Sequence, residues 1–374
     1  MSESEKKLFK DYFDAALARR MAVMITAVHP PFPADDFVNQ IAPQLNGLEM
    51  KERSTVFVQA LRDHLPAGFA NAWAVLEMAL EAELVGEDGM FNDGWHYWPI
   101  AQFIETFGLE DFDVGVQAMH EITKRHTAEF AIRPFLIHHQ DKMLAILHTW
   151  AEDENQHVRR LVSEGTRPRL PWAGRLYQFI EDPSPTLALL EKLKDDPSEY
   201  VRRSVSNHLN DIAKDHPQLV IQTCRRWWQD GSPERRWIVQ RALRTLVKDG
   251  DPDALAVLGY GPPQVKLTNF TVEPEPLELG DSLQLNFTLQ STAVTEQNLV
   301  VDFIIHFVKA NGQTSGKVFK LKTAVLAPNQ SLTITKSHPL RPITTRTYYP
   351  GTHRVDIQVN GQLVGERSFE LVLP

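Results

Sequence analysis

Glu121, Glu164 and Trp172 are residues of this 374-residue chain that could stabilise a positive charge during a reaction. Glu121 lies among basic neighbours such as Lys124, and Glu164 and Trp172 belong to an arginine-rich segment, residues 158–172. A carboxylate in a basic cleft can stabilise a developing cation or orient a water molecule, and a tryptophan face attracts a cation. Carboxylates of this kind are more often ordinary surface ion pairs, so composition alone does not assign them a catalytic role.

The arginine-rich segment has two interpretations. In the first, Arg167 and Arg169 follow a helix that ends near Gly165 and contact phosphate groups, with Trp172 as a rigid aromatic wall. In the second, Arg160 forms an i,i+4 ion pair with Glu164, and the tryptophan packs in a core. The residue types by themselves leave both interpretations open.

A duplication places this segment within a repeat architecture. Residues 153–163 recur at 196–206, where Asp, Val, an Arg-Arg pair, a second Val and Ser are repeated at a constant shift of 43 residues. That period is typical of two-helix solenoid repeats of the HEAT and armadillo type. Asp153 and Asp196 each precede a Gln or Glu by three residues, which predicts a capping box at each helix start. Stacked helices would then align the arginine pairs on one surface, where they could hold a polyanion.

Polar residues continue along the second copy and into a weaker third copy. Arg203, Asn207, Asp211 and Lys214 are spaced by 4, 4 and 3 residues, so they would share one helical face. Arg, Asn and Lys on that face could donate to phosphate oxygens, but a solvated helix face explains the spacing equally well. The third copy begins near Ser232 and stays basic, with Arg241 among its arginines.

The pattern changes from helical to alternating after residue 258. Residues 1–258 show apolar positions at helical spacing, and we predict a HEAT-like helical-repeat solenoid over this range. Residues 264–374 contain short alternating runs separated by turn signals, including Asn311-Gly and Asn360-Gly, which favour hairpins. We predict seven to nine strands in an all-β immunoglobulin-like sandwich. The expected fold class is therefore mainly α, with two domains at 1–258 and 264–374.

Charge and composition exclude several classes of function. The net charge is −9, but residues 1–120 carry −11, residues 121–250 carry +3 and residues 251–374 carry −1. The duplicated region is thus the cationic third, and local charge decides whether a phosphate backbone is attracted. The single Cys224 excludes an internal disulfide and a zinc site built on several cysteines. The start of the chain lacks the apolar region of a signal peptide, so we expect a soluble, cytoplasmic protein.

Three segments resemble the DNA alkylation-repair glycosylases of the AlkC/AlkD superfamily. They are the arginine-rich run from Arg159 to Trp172, the second-copy run from Val205 to Pro217, and the short run from Glu129 to Phe135. The appended sandwich resembles the AlkC branch, some of whose members carry an immunoglobulin-like domain at this place. The resemblance implies a monofunctional glycosylase that removes cationic N-alkylated bases, mainly 3-methyladenine, from duplex DNA.

The resemblance also implies roles for particular residues. We expect Glu121 to stabilise the cationic sugar, with Glu164 as the second candidate and Trp172 as the aromatic wall. Residues expected to contact DNA are Arg133, Arg159, Arg160, Arg167, Arg169, Arg202, Arg203, Asn207, Asp211, Lys214 and Arg241. Alkylated double-stranded DNA is the expected partner of a monomer that uses no metal ion and no cofactor and binds no membrane. The alternatives are a non-catalytic repeat scaffold and a DNA-binding repair factor.

Overall fold

The computed structural model describes residues 8–86 and 93–373 of the chain. The chain divides into two compact units, of which the first ends at Ile212 and the second begins at Ala213. The predicted fold class, helical repeats followed by an immunoglobulin-like sandwich, is confirmed. The last helix ends at Val257 and the first strand begins at Val265, and the domain limits of 1–258 and 264–374 stay a prediction.

The described part of the first unit is built from α-helices joined by short connections. They are α1 (Ala15–Val28), α2 (Ala34–Ile41), α3 (Met50–His64), α4 (Phe69–Met78), α5 (Trp98–Phe107), α6 (Phe112–Thr123), α7 (Ile132–His138), α8 (Gln140–Trp150), α9 (Gln156–Gly165), α10 (Tyr177–Glu181), α11 (Ser184–Leu193) and α12 (Glu199–Ile212). Short 3-10 turns occupy Phe9–Tyr12, Ala42–Gln44, Trp95–Tyr97 and Gly108–Glu110.

The two copies of the duplicated segment pack against each other. The first copy forms α9 and the second forms α12, and these helices are in contact with each other and with α11. Val158 and Leu161 on α9, and Val205 and Leu209 on α12, are fully buried, as expected for one apolar face on each helix. Burial of each such side chain contributes about 1.5–3 kcal/mol, so the repeated apolar stripe is what stacks the copies.

The helix starts differ from the predicted capping boxes. Asn155 is the N-cap of α9, and its side chain accepts a hydrogen bond from the N–H of His157 at 2.8 Å. The carboxylate of Asp153 instead accepts from the N–H of Asn155 at 2.7 Å. Asp196 does the same one repeat later, accepting from the N–H of Ser198 at 2.9 Å. The prediction that these aspartates cap the helices was wrong, because each folds the turn that precedes its helix, a common use of a short acidic side chain.

The second unit combines short helices with a β-sandwich. Its α-helices are α13 (Pro217–Gln229), α14 (Pro233–Ala242), α15 (Arg244–Lys248) and α16 (Pro252–Val257). Its strands are β1 (Val265–Glu273), β2 (Leu277–Glu278), β3 (Ser282–Ser291), β4 (Gln297–Val308), β5 (Thr314–Leu326), β6 (Ser331–Pro339), β7 (Gly351–Val359) and β8 (Gln362–Val372).

The strands form two sheets that enclose one apolar core. One sheet has the order β1-β3-β6 and the other has the order β2-β8-β7-β4-β5. Alternating residues such as Leu283, Leu285 and Phe287 of β3 point into the core between them. Asn311-Gly lies between β4 and β5, and Asn360-Gly lies between β7 and β8, so both predicted hairpin turns are confirmed.

The sandwich and the helices of the second unit meet through backbone at close range. Asn360 donates from Nδ2 to the carbonyl of Gly261 at 2.8 Å. Gly361, with φ of 78°, approaches Gly250 so closely that an added Cβ would lie 2.6 Å from the carbonyl oxygen of Gly250. Glycine is needed at this point of contact because no side chain fits and the backbone is left-handed.

Across residues 8–86 and 93–373, no helix combines the length and the apolar composition that a membrane span requires.

Candidate functional site

Three acidic and two basic side chains of the first unit form a buried group, which we call the carboxylate–arginine cluster. Its members are Glu129, Arg160, Glu164, Arg167 and Asp211. Glu129 lies in the connection between α6 and α7, the next two lie one turn apart on α9, Arg167 follows that helix, and Asp211 lies on α12. Four different stretches of chain therefore converge on one ionic group, which the packing of α9 on α12 assembles.

The contacts within the carboxylate–arginine cluster are short. Arg160 Nη1 lies 2.8 Å from Glu129 Oε2, and Arg160 Nη2 lies 3.6 Å from Glu164 Oε1. Arg167 Nη1 lies 2.7 Å from Glu164 Oε1, and Arg167 Nη2 lies 2.8 Å from Asp211 Oδ2. Three carboxylates face two guanidinium groups, so these five residues together carry one excess negative charge.

Glu164 stays ionised at the centre of this cluster. Burial opposes its charge, but the guanidinium groups of Arg160 and Arg167 and a hydrogen bond from Ser204 Oγ, at 2.6 Å, hold the pKa of Glu164 below its usual range. A fixed carboxylate in a site with little water interacts strongly with any cation that forms nearby, because the low dielectric does not screen it.

Buried polar groups of α9 and α12 form a hydrogen-bonded network next to Glu164. Ser204 Oγ also lies 2.9 Å from Ser163 Oγ, and His208 Nδ1 lies 2.9 Å from the carbonyl oxygen of Ser163. Burial, together with the charge of Arg167, lowers the pKa of His208 to about 3. The imidazole is therefore neutral near pH 7 and adds no positive charge beside the carboxylate.

Glu121, the first catalytic candidate, lies in a separate group of charges. It is on α6, where Oε1 is 2.8 Å from Lys124 Nζ and 3.4 Å from His120 Nδ1. Arg125 lies 3.6 Å from its other oxygen, and His120 Nε2 lies 2.8 Å from Asp153 Oδ2. Burial opposes the charge, but the hydrogen bonds from Lys124 and His120 lower the pKa of Glu121. The structure thus brings Glu164, but not Glu121, into the carboxylate–arginine cluster.

Trp172 is exposed and lines a cleft. Its side chain is 64% exposed, and its φ of 65° places it in the left-handed region. The cleft has a volume of about 250 Å³, and Lys51, Trp98, Glu105 and Arg133 also line it. The interpretation of Trp172 as a core residue is therefore wrong, because most of the indole faces solvent.

The first arginine of each pair in the duplicated segment is bound to other groups of the protein. Arg159 Nε lies 2.6 Å from Asp196 Oδ2, and its Nη1 donates to the carbonyl of Asp153 at 2.8 Å. Arg202 Nη1 donates in the same way to the carbonyls of Asp196 and Pro197, at 2.6 and 2.8 Å. Each arginine thus fixes the turn before its own helix, and phosphate binding by these residues stays a prediction.

The other residues expected to contact DNA differ in their surroundings. Arg133 is buried and donates to backbone carbonyls, whereas Arg203 is exposed and lies 2.7 Å from Glu199. Arg169 and Asn207 of the first unit are half-buried. In the second unit Lys214 is exposed, and Arg241 lies over the ring of Trp237 at 4.8 Å. DNA contact by these residues stays a prediction.

Two members of the site were not singled out from the sequence. Glu129 stands in a segment that we noted, but its spacing gave no sign that it would meet Arg160, which is 31 residues away. Tyr200, whose ring lies 4.9 Å from the guanidinium carbon of Arg160, was also missed. The repeat offset of 43 residues could have found Tyr200, because it places residue 200 opposite His157 in the first copy, and the two rings are in fact in contact at 5.6 Å.

In the part of the chain that the structure describes, no group of three or more His, Cys, Asp or Glu side chains is arranged to hold a metal ion. The carboxylates of Glu129 and Glu164 accept hydrogen bonds from guanidinium and hydroxyl donors.

Comparisons with known proteins agree with this architecture. Residues 119–246 match the DNA alkylation repair enzyme family, and residues 266–373 match the family described as uncharacterised protein YhaZ, C-terminal Ig-like domain. The chain is 34% identical over 368 residues to the uncharacterized protein YhaZ of Bacillus subtilis strain 168, covering 97% of this chain and 99% of that protein. It is 37% identical to the alkylpurine DNA glycosylase AlkC of Pseudomonas fluorescens, solved bound to DNA containing an abasic-site analogue, with a TM-score of 0.91 over 98% of this chain and 100% of that one. The chain therefore belongs to the DNA alkylation repair enzymes, in the AlkC branch that carries a C-terminal immunoglobulin-like domain.

Proposed function

We propose that this protein is a monofunctional alkylpurine DNA glycosylase that removes cationic N-alkylated bases, mainly 3-methyladenine, from duplex DNA by hydrolysis of the N-glycosidic bond. The observation that carries the proposal is the buried carboxylate–arginine cluster, with its ionised Glu164, in the same unit as the exposed Trp172. Similarity to a glycosylase that was solved on DNA with an abasic-site analogue supports the same conclusion.

The reaction needs little acid catalysis. Alkylation of a ring nitrogen gives the base a positive charge, so the C1′–N bond can break with its electron pair moving to the base, which leaves neutral. The sugar is left as an oxocarbenium ion, water adds to C1′, and the water loses a proton to a nearby base or to solvent. The products are a free base and an abasic site in an intact strand. The enzyme must therefore stabilise a cation and position water.

Two kinds of group in the first unit could stabilise that cation. The excess negative charge of the carboxylate–arginine cluster favours positive charge on the sugar, and Glu164 is ionised without any change of protonation. The face of an exposed tryptophan attracts a cation by its ring quadrupole, contributing about 0.5–2 kcal/mol. Glu164 therefore replaces Glu121 as the residue that we propose to act in catalysis, with Trp172 as the aromatic wall.

Alkylated double-stranded DNA is the proposed partner, bound by one protein molecule without a metal ion or cofactor. The cationic balance of residues 121–250 would attract the phosphate backbone although the whole chain is acidic. Among the predicted contacts that are exposed or half-buried, we keep Arg203, Asn207 and Lys214 as phosphate ligands.

Release of free base tests the proposed function. Duplex DNA treated with a methylating agent is incubated with the full-length protein, and the released bases are separated by chromatography. We expect 3-methyladenine to be released and unmodified adenine to be retained, and the DNA strand to remain intact until alkali is added. Binding without base release would instead indicate a DNA-binding repair factor, and no binding would indicate a scaffold for proteins.

A substrate that carries a neutral lesion checks the chemical principle. Hypoxanthine carries no positive charge and is a poorer leaving group than a cationic alkylated base. A site built from fixed charges alone should therefore not release it. Efficient release of hypoxanthine would contradict a mechanism that depends on the charge of the alkylated base.

A further inference from the structure

Trp172 is held in a conformation that it would not adopt by itself. Its φ of 65° is strained for a bulky L-residue, and such conformations cost about 1–3 kcal/mol, so they persist only where surrounding contacts impose them. We call residues 166–176 the Trp172 loop. The indole of Trp172 is exposed, so the contacts that hold this conformation must act on the backbone and on the residues next to Trp172.

Part of that restraint comes from within the loop. The N–H of Ala173 donates to the carbonyl of Leu170 at 3.3 Å, and the N–H of Leu176 donates to the carbonyl of Pro168 at 3.2 Å. Leu170 and Leu176 are buried and anchor the two sides of the loop in the apolar core. These contacts close the loop, but they do not fix it relative to α9, which carries Glu164.

Arg167, at the start of the loop, pairs with Glu164 of α9, and Arg133 adds a second connection between the loop and that helix. From α7 its Nη1 donates to the carbonyl of Arg167 at 2.9 Å and to the carbonyl of Gly165 at 3.3 Å, and its Nη2 donates to the carbonyl of Gly174. One planar guanidinium thus joins the last residue of α9 to both sides of the Trp172 loop. A fork of five donors in fixed geometry suits this task, which a flexible lysine could perform only in part.

Lys51 makes a second contact with the loop. From α3 its ammonium donates to the backbone carbonyl of Trp172 itself. Lys51, Glu105 and Arg133 line the same cleft as Trp172. Burial raises the pKa of Glu105, and burial lowers the pKa of Arg133 to about 10, so the guanidinium remains charged near pH 7.

We propose that Arg133 is a positioning residue that fixes the distance between the indole of Trp172 and the carboxylate of Glu164, and that it does not contact a DNA phosphate. Lys51 is the second restraint on the same loop. The proposal rests on the proposed function, in which both groups must face one sugar. It differs from our sequence-based expectation for Arg133, because that residue is only 5% exposed and its guanidinium donates to three backbone carbonyls.

Kinetics separate the two roles of Arg133. For Arg133→Gln we expect kcat for 3-methyladenine release to fall about 10²-fold, the loss associated with a misplacement of about 1 Å. We expect KM and the dependence of DNA binding on salt to stay within twofold of the original protein. A phosphate contact would give the opposite result, with kcat retained and the salt slope reduced by about one.

Coupling to Trp172 distinguishes positioning from general damage. If Arg133 acts through the loop, the double variant Arg133→Gln/Trp172→Ala loses no more activity than the worse single variant, whereas independent effects would multiply. Arg133→Lys should recover part of kcat. Arg19→Gln is the matched control, because Arg19 is an exposed arginine of α1 that belongs neither to the cleft nor to the Trp172 loop, and its kcat should change less than twofold.

A measurement that does not depend on catalytic activity tests this proposal separately from the proposed function. Hydrogen exchange of the backbone amides in residues 166–176 should become at least tenfold faster in Arg133→Gln. It should also become faster in Lys51→Met, a change at an exposed residue that removes the second restraint without opening the core. If the original protein releases no base, the function is wrong but exchange still tests the restraint. Unchanged exchange in both variants, or a lower salt slope with normal kcat in Arg133→Gln, would overturn the proposal.

Discussion

Arg159 binds Asp196 side-on, with Nε 2.6 Å from Oδ2 and Nη2 3.1 Å from Oδ1. The arginine belongs to the first copy of the duplicated segment and the aspartate to the second, 37 residues later. The same aspartate accepts from the N–H of Ser198, and the same arginine donates to the carbonyl of Asp153. One ion pair therefore connects the turn before α9 with the turn before α12, and it fixes how the two repeats stack.

Arg159→Met should destabilise the first unit. The substitution leaves the carboxylate of Asp196, whose side chain is only 3% exposed, buried without its ionic partner. Removal of one partner from a buried pair costs about 3–5 kcal/mol. We expect a loss of about that size in the free energy of unfolding, measured by urea denaturation at pH 7.

Arg203→Met is the control for that experiment. It removes an arginine of the second copy whose pair with Glu199 is exposed on both sides and spans i,i+4. Such pairs contribute about 0.3–0.5 kcal/mol, so the unfolding midpoint should hardly move. Equal effects of the two substitutions would mean that the Arg159–Asp196 pair does not hold the repeats together.

Glu164→Gln should reduce base release far more than Glu121→Gln. The first substitution removes the negative charge that the carboxylate–arginine cluster presents to a sugar cation, and loss of one such electrostatic group costs about 10²–10³-fold in rate. The second acts in a separate group of ion pairs around Lys124 and His120. Single-turnover release of 3-methyladenine is the measurement, at a temperature where circular dichroism shows both variants folded. A greater loss in Glu121→Gln would return the catalytic role to that residue.

Stability should fall as the pH is lowered below about 6.5, in part through His208. Burial lowers its pKa to about 3 in the folded protein, whereas the unfolded side chain titrates at 6.5. Between these two pH values His208 is protonated in the unfolded chain and neutral in the folded protein. The free energy of unfolding therefore falls by about 1.4 kcal/mol for each unit by which the pH is lowered. His96, with a pKa lowered to about 4 by burial and Arg20, acts in the same direction.

Urea denaturation at pH 7, 6 and 5 measures this slope. His208→Gln should reduce the slope by one proton between pH 6 and 5, whatever it does to stability at pH 7. Identical slopes for the two proteins would show that His208 is protonated in the folded state over this range.

Gly361→Ala should weaken the contact between the sandwich and the helices of the second unit. The new Cβ would lie 2.6 Å from the carbonyl oxygen of Gly250 and 2.7 Å from its Cα, at a φ of 78°. Gly312→Ala is a matched control, because Gly312 has a φ of 76° in a hairpin turn with nothing within 4 Å of the added atom. Both changes carry the strain of a left-handed alanine, about 1 kcal/mol, and Gly361→Ala should lose a further 1–3 kcal/mol through the clash. Equal decreases in melting temperature for the two variants would mean that the backbones at Gly250 and Gly361 can move apart without a loss of stability.

The repeat and the sandwich were visible in the sequence because they depend on local patterns. Apolar positions such as Val158 and Leu161 recur at helical spacing, and Asn311-Gly and Asn360-Gly mark hairpins between alternating runs. These signals act over a few residues, where backbone geometry alone sets which side chains share a face. The capping residues were misplaced for the same reason, since Asp153 and Asn155 are both suitable and only the fold selects between them.

The sequence by itself determined the family resemblance, the order of helices and strands, and which third of the chain is cationic. The tertiary structure decided which charges meet. Glu121 and Glu164 both stand among basic residues in the sequence, but packing of α9 on α12 buries only Glu164 between Arg160 and Arg167. The sequence does not distinguish Arg133 from the other arginines, whereas in the folded protein its guanidinium donates to three backbone carbonyls. An ionic contact depends on separations of a few ångströms between residues tens of positions apart, and those separations exist only once the helices are stacked.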